Sequence, residues 1–568
     1  MDRRFFLKLA LVTAAVQSRM CARAGIRPIK TALRNMNRST VMARRGMVCS
    51  SQPLASMAGV DMLKKGGNAV DAALAANAVL SVTEPMSCGP GGDLFAMVWI
   101  EKEHVLFGLN ASGRSPYNWS LAEAEALGLK EIPIYGPLSW SVPGCVSGWG
   151  ALNGRFGRLP LSDVLEPAII HAREGFPVTP VIAGHWQSVD AVSHPGLARV
   201  YAPSGRIPIS GDLFRNPEVA QFLETIAREG AGSFYHGEIA DKIVKFSEEN
   251  GGRFTRRDFE DHVVSWVDPV CSRYRDFDVW ELPPNGQGIA ALQILNILEN
   301  FDIPSLEPNS ARHLHLFIEA KKLAFEDRAS YYADPDFARI PIEELISKEY
   351  AAKRAALINP QRAAQTVRPG VIPSSGDTVY LAAADADGNM ISLIQSIYYN
   401  FGSQMVPADL GFALQNRGHL FSLDPGHPNR LEPHKRPFHT IIPAFATQKN
   451  EPRFAFGVMG GDFQPQGHAQ ILMNRLDFGL SIQQAGEQPR VAHLNSSTPT
   501  GEIMKYGGTV GFELGIPERT KVELAGMGHS LEPGLGRYGG YQGIWRESNP
   551  IRYFGGSDPR KDGCAMGF

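Results

Sequence analysis

The chain has 568 residues, 43% of them hydrophobic and 20% charged, which is the composition of an ordinary globular protein and excludes a disordered or fibrous one. Its 56 Lys and Arg residues nearly balance 58 Asp and Glu residues, and a formal net charge of −2 excludes a global field that would attract nucleic acid or an anionic membrane. From this charge balance we expect no nucleic-acid partner. The sequence also has no apolar run of membrane-spanning length, so we expect no membrane span.

The first 24 residues are a candidate export signal. An Arg-Arg pair at positions 3 and 4 resembles a twin-arginine signal, and a short apolar run covers residues 9–16. The small residues around Ala22 and Ala24 fit a cleavage site, although two arginines after the apolar run oppose translocation. This pattern predicts a periplasmic or exported protein. The alternative is a true start further along the chain, which leaves the protein cytoplasmic.

Helical periodicity dominates the first half of the chain. Residues 53–65 carry apolar side chains on one face and end at Gly66-Gly67, and an alanine-rich helix follows over 70–82. Residues 94–100 and 105–109 are β-prone. Further helices are predicted over 217–227, 237–248, 290–299 and 311–331. The glycine-rich residues 144–150 lack a nucleotide-loop pattern and predict a turn.

A β-hairpin pattern opens the strand-rich second half. Two apolar runs, 379–384 and 390–394, flank a turn over 385–389 that contains an Asp-Gly pair. Residues 373–376 are loop-forming, so Thr378 lies where a loop meets a strand. Helices in one half and strands in the other predict stacked antiparallel sheets covered by helices, an α+β fold.

Neither the cysteines nor the histidines indicate a metal or cofactor site. The six cysteines are scattered without a Cys-x-x-Cys pair, which indicates neither a zinc site nor a disulfide framework. His313 and His315 lie in a helical pattern, and a spacing of two places them on different helix faces. We therefore expect no metal and no cofactor.

Thr378 is a candidate nucleophile only if its own amine becomes free. A threonine hydroxyl needs an adjacent base, and a liberated α-amine with a pKa of about 7.7–8.0 can supply it. The alternative is that Thr378 is an ordinary β-branched residue at the start of a strand.

Motifs spread along the chain favour the first interpretation. They cover residues 66–73, 89–93, 110–114, 395–396, 401–403, 414–418, 435–443, 459–462 and 556–560. Together with the hairpin they resemble the γ-glutamyltranspeptidase family, whose members are N-terminal-nucleophile hydrolases made as single precursors. The resemblance covers roughly residues 40–568 and implies a four-layer αββα sandwich.

The resemblance implies self-cleavage between Asp377 and Thr378. Residues 25–377 would form a large chain and residues 378–568 a small chain, which remain together as a heterodimer in one interlocked domain. Thr378 would then attack an amide substrate and form an acyl-enzyme. Gly460 and Gly461 match the family's oxyanion-hole glycines, and Ser396 falls where a hydroxyl group hydrogen-bonds the nucleophile.

The residues matched to substrate binding combine one agreement with several departures. Arg114 matches the arginine that pairs with the substrate carboxylate. The acidic residue that holds the substrate ammonium in true transpeptidases becomes Leu420, and its neighbouring amide becomes Arg417. An asparagine becomes Tyr398, and the paired serines that hold the carboxylate become His439 and Thr440. The segment between Leu420 and His439 is also too short for the long lid loop of many members.

These departures resemble the acylase-like branch of the family, which acts on glutaryl side chains of cephalosporins. The implied activity is that of an amidohydrolase or acyltransferase that cleaves γ-glutamyl or glutaryl amides, including glutathione-type donors. The first alternative is a cephalosporin or glutaryl acylase with little γ-glutamyl activity. The second is a relative that binds but does not catalyse.

Overall fold

The computed structural model describes residues 38–187, 195–370, 379–533 and 538–568. The candidate export signal, Asp377 and Thr378 lie outside these ranges. The strands, in chain order, are β1 Val41–Ala43, β2 Gly46–Ser50, β3 Asp93–Ile100, β4 Val105–Ala111, β5 Phe176–Pro177, β6 Leu213–Phe214, β7 Ser265–Val267, β8 Val270–Tyr274, β9 Phe277–Glu281, β10 Val379–Asp385, β11 Met390–Ser396, β12 Ala444–Gln448, β13 Glu451–Met459, β14 Val491–Leu494, β15 Thr509–Phe512, β16 Ser530–Glu532, β17 Gly540–Ser548, β18 Ile551–Ser557 and β19 Cys564–Gly567.

The α-helices surround these strands. In chain order they are Pro53–Lys64, Ala69–Thr83, Leu121–Ala126, Cys145–Phe156, Leu161–Glu174, Pro180–Trp186, Pro195–Tyr201, Pro217–Glu229, Ser233–His236, Glu238–Glu249, Arg256–Glu260, Gly288–Leu298, Ala311–Tyr331, Ile342–Leu345, Lys348–Ala355, Gln464–Leu472, Ile482–Glu487 and Glu518–Gly526. Among the helices described, none has the length and apolar character required to cross a bilayer.

Two seven-stranded sheets form the centre of the molecule. One has the strand order β1-β18-β17-β13-β12-β9-β8, and the other has β19-β2-β10-β11-β3-β4-β7. Both sheets mix strands from before and after residue 378: β10 pairs with β2 on one side and with β11 on the other, and β12 pairs with β9. Neither sheet can therefore be completed by one half of the chain.

The two sheets stack face to face and are covered by helices on their outer faces. Phe95, Tyr380, Phe445 and Ile544 are fully buried between the sheets. The helices Pro53–Lys64 and Ala69–Thr83 pack on the sheet that contains β10, whereas Gly288–Leu298 and Gln464–Leu472 pack on the other. These layers confirm the predicted α+β fold and its αββα order.

Local side-chain caps fix the hairpin that carries the candidate nucleophile. Asp385 Oδ1 accepts hydrogen bonds from the backbone N–H groups of Asp387 and Asn389 at 2.9 and 3.1 Å, and Gly388 has a φ of 96°. Asp385 Oδ2 also accepts from the backbone N–H of Ala69 at 2.9 Å, at the start of a helix. The predicted turn is confirmed, and it fixes the register of β10 against β11.

The prediction of a turn over residues 144–150 is wrong. The helix Cys145–Phe156 begins there and packs on β3 and β4. A Cβ atom on Gly144 would lie 1.9 Å from the carbonyl oxygen of Ala111, and one on Gly148 would lie 3.0 Å from Cδ2 of Leu94. The glycines therefore permit close approach of the helix to the strands and do not reverse the chain.

Candidate active site

The candidate nucleophile Thr378 lies outside the described residues, but the strand that follows it is described. β10 begins at Val379, which pairs with Gln395, and Ser396 ends β11 directly opposite Asp93 of β3. Ser396 is fully buried, and its Oγ accepts a hydrogen bond from the N–H of Tyr398 at 2.9 Å. The register thus places the Ser396 hydroxyl at the end of the sheet where the chain enters from position 378.

The candidate oxyanion glycines follow β13, which lies over β10 in the facing sheet. Gly460 and Gly461 have φ values of 128° and 66°, both in the region that favours glycine. A Cβ atom on Gly460 would lie 2.9 Å from Cα of Gly539. A Cβ atom on Gly457, earlier in β13, would lie 2.4 Å from the ring of Tyr380, which shows how closely the two sheets approach near the start of β10.

Three of the predicted substrate-binding residues, two of them fully buried, form one group. The Arg417 guanidinium donates a hydrogen bond to Oγ1 of Thr440 and lies 4.8 Å from the centroid of the Tyr398 ring. Arg417 and Thr440 are fully buried, and Tyr398 has a φ of 78°. A cation over an aromatic face is held by the ring quadrupole. The structure therefore brings together side chains that are up to 42 positions apart in the sequence.

His439 lies beside this group and is bound to Asp93. Its Nε2 donates to Oδ2 of Asp93 at 3.0 Å, while its Nδ1 accepts from the N–H of Ile441 at 3.3 Å. Burial, helped by the Arg417 cation, lowers the pKa of His439 to about 4, so the imidazole is neutral at neutral pH. His439 is thus a neutral hydrogen-bond donor to a carboxylate.

Asp93 is a site residue to which the sequence assigned no role. Besides His439, its Oδ1 accepts hydrogen bonds from the N–H groups of Gly113 and Gly144 and from Nε2 of Gln415, at 3.0 to 3.1 Å. A fully buried carboxylate needs such donors. The sequence did contain a signal for Asp93, because the motif over residues 89–93, which is one of those that resemble the family, ends on this residue.

Arg114 is not part of the Arg417 group. Its Nη1 lies 3.1 Å from Oδ2 of buried Asp334, and its Nη2 lies 2.8 Å from Oδ2 of exposed Asp336. Nη1 also donates to the carbonyl of His434 at 3.3 Å. Arg114 therefore has one buried and one exposed acidic partner.

Leu420 is part of the hydrophobic core. Its side chain is only 3% exposed and belongs to the same apolar cluster as Phe438. Asn429 connects the two positions, since its Nδ2 donates to the Leu420 carbonyl at 2.7 Å and its Oδ1 accepts from the N–H of Phe438 at 2.9 Å. The segment between Leu420 and His439 therefore folds back compactly on itself.

A polar cluster outside this site contains His315, one of the two histidines of the predicted helix 311–331. His315 Nδ1 lies 2.8 Å from His529 Nε2, and Glu319 offers a carboxylate oxygen within 4.8 Å of both. Lys322 Nζ donates to Glu319 at 2.8 Å, so an ammonium already balances the carboxylate. We interpret the cluster as a hydrogen-bonded network. His529 is more than 200 positions from His315 in the sequence, so the spacing of His313 and His315 could not reveal the cluster. The absence of a metal stays a prediction.

Comparison with known proteins identifies relatives over nearly the whole chain. The family profile described as Gamma-glutamyltranspeptidase matches residues 55–568. The "Glutathione hydrolase-like YwrD proenzyme" of Bacillus subtilis (strain 168) is 38% identical over 94% of this chain and 100% of its own. The "Acylase ACY 1 proenzyme" of Pseudomonas sp. (strain V22) is 33% identical over 86% of this chain and 87% of its own. The crystal structure of cephalosporin acylase from Bacillus halodurans is similar with a TM-score of 0.87 and 41% identity, and covers 95% of this chain and 99% of that one.

The two stacked sheets between helical layers, together with the similarity to the cephalosporin acylase structure, define an N-terminal-nucleophile hydrolase fold. The chain belongs to the γ-glutamyltranspeptidase family. It is an amidohydrolase by class, and its relatives include both glutathione hydrolase-like and acylase proenzymes. The predicted resemblance, including its acylase-like relatives, is confirmed.

Proposed function

We propose that the protein cleaves itself between Asp377 and Thr378 and then hydrolyses or transfers the acyl group of small amides, with its specificity shifted from γ-glutamyl towards glutaryl donors. The Thr378 hydroxyl attacks the amide carbonyl while its own α-amine takes the proton. The amine leaves with that proton, and water or an acceptor amine resolves the acyl-enzyme. N–H groups of Gly460 and Gly461 stabilise the oxyanion.

The observation that carries the proposed specificity is the burial of Leu420. The family's transpeptidases have an acidic residue at the corresponding position, whereas here an alkyl side chain belongs to the same apolar cluster as Phe438. A charge-assisted hydrogen bond to an ammonium contributes about 1.5–3 kcal/mol. A γ-glutamyl donor loses that bond, and a glutaryl donor, which has no amine, is unaffected.

Arg417 adds a second penalty for a substrate ammonium. Its guanidinium is fully buried, and the adjacent His439 is neutral. Two like charges 4 Å apart repel by about 4 kcal/mol at an effective dielectric constant of 20. The same cation attracts a carboxylate, which both donors carry. Arg417 therefore disfavours the γ-glutamyl donor through its ammonium group, while the carboxylate that both donors share does not distinguish them.

Hydrolysis of glutathione-type γ-glutamyl donors is the second candidate function, favoured by the similarity to a glutathione hydrolase-like proenzyme. A donor panel separates the two candidates. We expect the ratio of kcat/KM for a glutaryl anilide to that for a γ-glutamyl anilide to exceed the ratio of a transpeptidase that carries the acidic residue. A preference of a hundredfold or more for the γ-glutamyl anilide would contradict the acylase-like assignment. Failure to hydrolyse any amide after cleavage would favour a binding protein.

A further inference from the structure

One buried side-chain amide joins the two backbone segments of the candidate site. Gln287 Nε2 donates to the carbonyl of Gly461 at 3.0 Å and to the carbonyl of Thr440 at 2.9 Å. An amide nitrogen has two N–H groups, so one hydrogen can serve each carbonyl. Gln287 is fully buried and lies immediately before the helix Gly288–Leu298. It thus lies between the candidate oxyanion glycines and the group that contains Arg417.

Arg328 fixes the orientation of this amide. Its Nη1 donates to Oε1 of Gln287 at 2.8 Å and to Oδ1 of Asp462 at 2.9 Å. The guanidinium is fully buried and lies 3.5 Å from the centroid of the Phe325 ring. A donor on Oε1 means that the amide presents its nitrogen, not its oxygen, to the two carbonyls. Asp462 follows Gly461 directly, so Arg328 also bonds the residue that follows the glycine pair.

The glycine pair requires such an external constraint. Gly460 and Gly461 have no side chains to pack, and glycine samples more backbone conformations than any other residue. Stabilisation of an oxyanion depends on donors that are already in place before the reaction. A hydrogen bond to the Gly461 carbonyl restrains the orientation of the turn and, through it, the adjacent N–H groups.

We propose that Gln287, oriented by Arg328, is a positioning residue that sets the geometry of the oxyanion glycines relative to the substrate-binding Thr440. This inference rests on the proposed function. Both positioning residues precede position 378, and both segments that they hold follow it. After cleavage, the large chain would therefore maintain the geometry of a site carried by the small chain.

The test compares Gln287→Leu with Gln293→Leu. Gln293 is a matched control on the adjoining helix, because it is 1% exposed and its amide bonds Asp327 at 3.0 Å and Tyr332 at 2.9 Å. Each substitution removes one buried, fully bonded amide, but only Gln287 contacts the candidate site. Turnover is measured per cleaved molecule, with cleavage followed by intact mass and folding by thermal melting.

We expect Gln287→Leu to lower kcat by about tenfold to a hundredfold, because small misplacements of active-site groups have effects of this size. KM should change by less than about threefold. Because the oxyanion is common to all donors, kcat should fall equally for glutaryl and γ-glutamyl anilides. Gln293→Leu should keep kcat within about twofold of the unmodified protein. Loss of self-cleavage in Gln287→Leu alone, with both variants melting cooperatively, would support the same role.

Gln287→Glu provides the second variant. It preserves size and the acceptor for Arg328 but replaces both N–H donors by oxygen, so kcat should fall as in Gln287→Leu even if the leucine variant does not fold. Unchanged kcat in Gln287→Glu, or an equal loss in Gln293→Leu, would overturn the inference. A wild-type chain that cleaves no amide would instead refute the proposed function.

Discussion

Arg328, Arg417 and His439 are buried at the candidate site, and burial is the main cause that shifts the pKa values of Arg328 and His439. Arg328 keeps its charge, because burial lowers its pKa only to about 10. His439 loses its charge, because burial and the cation of Arg417 lower its pKa to about 4. Arg328 therefore remains a cation between Gln287 and Asp462, while the imidazole of His439 is a neutral link to Asp93.

Exchange of Leu420 for Asp tests the basis of the proposed donor preference. The new carboxylate should restore the bond to a substrate ammonium and lower the glutaryl to γ-glutamyl ratio of kcat/KM by about tenfold to a hundredfold. Leu420→Asn is the control, since it also places a polar group in the core but carries no charge. Both variants should melt at lower temperature. An equal change of the ratio in both variants would contradict the electrostatic explanation.

At the scale of single residues, the sequence predicts which residues belong to the candidate site better than it predicts which partners they contact. Tyr398, Arg417, His439 and Thr440 were identified through motifs, and the structure brings them into adjacent contacts. Gln287 and Arg328 carry no motif signal, because their roles depend on partners more than 100 positions away. A buried polar network is invisible to periodicity, which reports only which face of an element is apolar.

At the scale of elements, periodicity located six of the eighteen described α-helices and four of the nineteen described strands, among them the longest helix and the central hairpin. The predicted helix over 311–331 has the bounds Ala311–Tyr331, and the hairpin runs agree with β10 and β11 within two residues. The helix Cys145–Phe156 was missed because glycine has a low helix propensity. The reason for the glycine at position 144 lies in tertiary packing. The start of the helix is so close to β4 that a larger residue at Gly144 would meet the backbone of the strand.

This close approach predicts opposite effects for two glycines, Gly144 at the N-cap of the helix Cys145–Phe156 and Gly154 within it. Gly144→Ala places Cβ 1.9 Å from the Ala111 carbonyl oxygen, so the strand or the helix must move, and overpacking of this kind costs about 1–3 kcal/mol. A Cβ atom on Gly154 meets nothing within 4 Å, so Gly154→Ala should stabilise by up to about 1 kcal/mol. Thermal melting of both variants checks this, and stabilisation by Gly144→Ala would contradict the packing.

At the scale of the whole molecule, buried neutral histidines predict loss of stability in mild acid. Burial lowers the pKa of His262 and His529 to about 3 and that of His439 to about 4, against about 6.5 in an unfolded chain. Between these values the unfolded state binds more protons, so stability falls as the pH falls through 6.5. Buried carboxyls act in the opposite direction, since burial raises the pKa of Asp327 to about 6 and that of Glu281 well above its ordinary value. Among the described residues, ten histidines have a lowered pKa and eight carboxyls a raised one, so the histidines outnumber the opposing groups.

The apparent melting temperature should therefore decrease steadily from pH 7.5 to pH 5, above the range in which ordinary carboxylates titrate. His529→Gln keeps a polar side chain but cannot be protonated, and it should make this decrease smaller. A melting temperature that is constant or rises over this interval would contradict the protonation states assigned to these histidines.

The interleaved sheets connect stability to the proposed cleavage. Because β10 lies between β2 and β11, a break between Asp377 and Thr378 would leave the strand that begins at Val379 paired on both sides. The two chains of a cleaved protein would then share both sheets and the core between them. Cleavage at this position is thus compatible with a molecule that remains assembled.

Intact mass and N-terminal sequencing of the purified protein test the central claim most directly. We expect two chains that remain together, the smaller beginning at Thr378 and containing the 191 residues from 378 to 568. Thr378→Ala should remain a single inactive chain, because cleavage and turnover both need the hydroxyl. A wild-type protein that stays whole, or a small chain that begins at any residue other than Thr378, would contradict the assignment of the nucleophile.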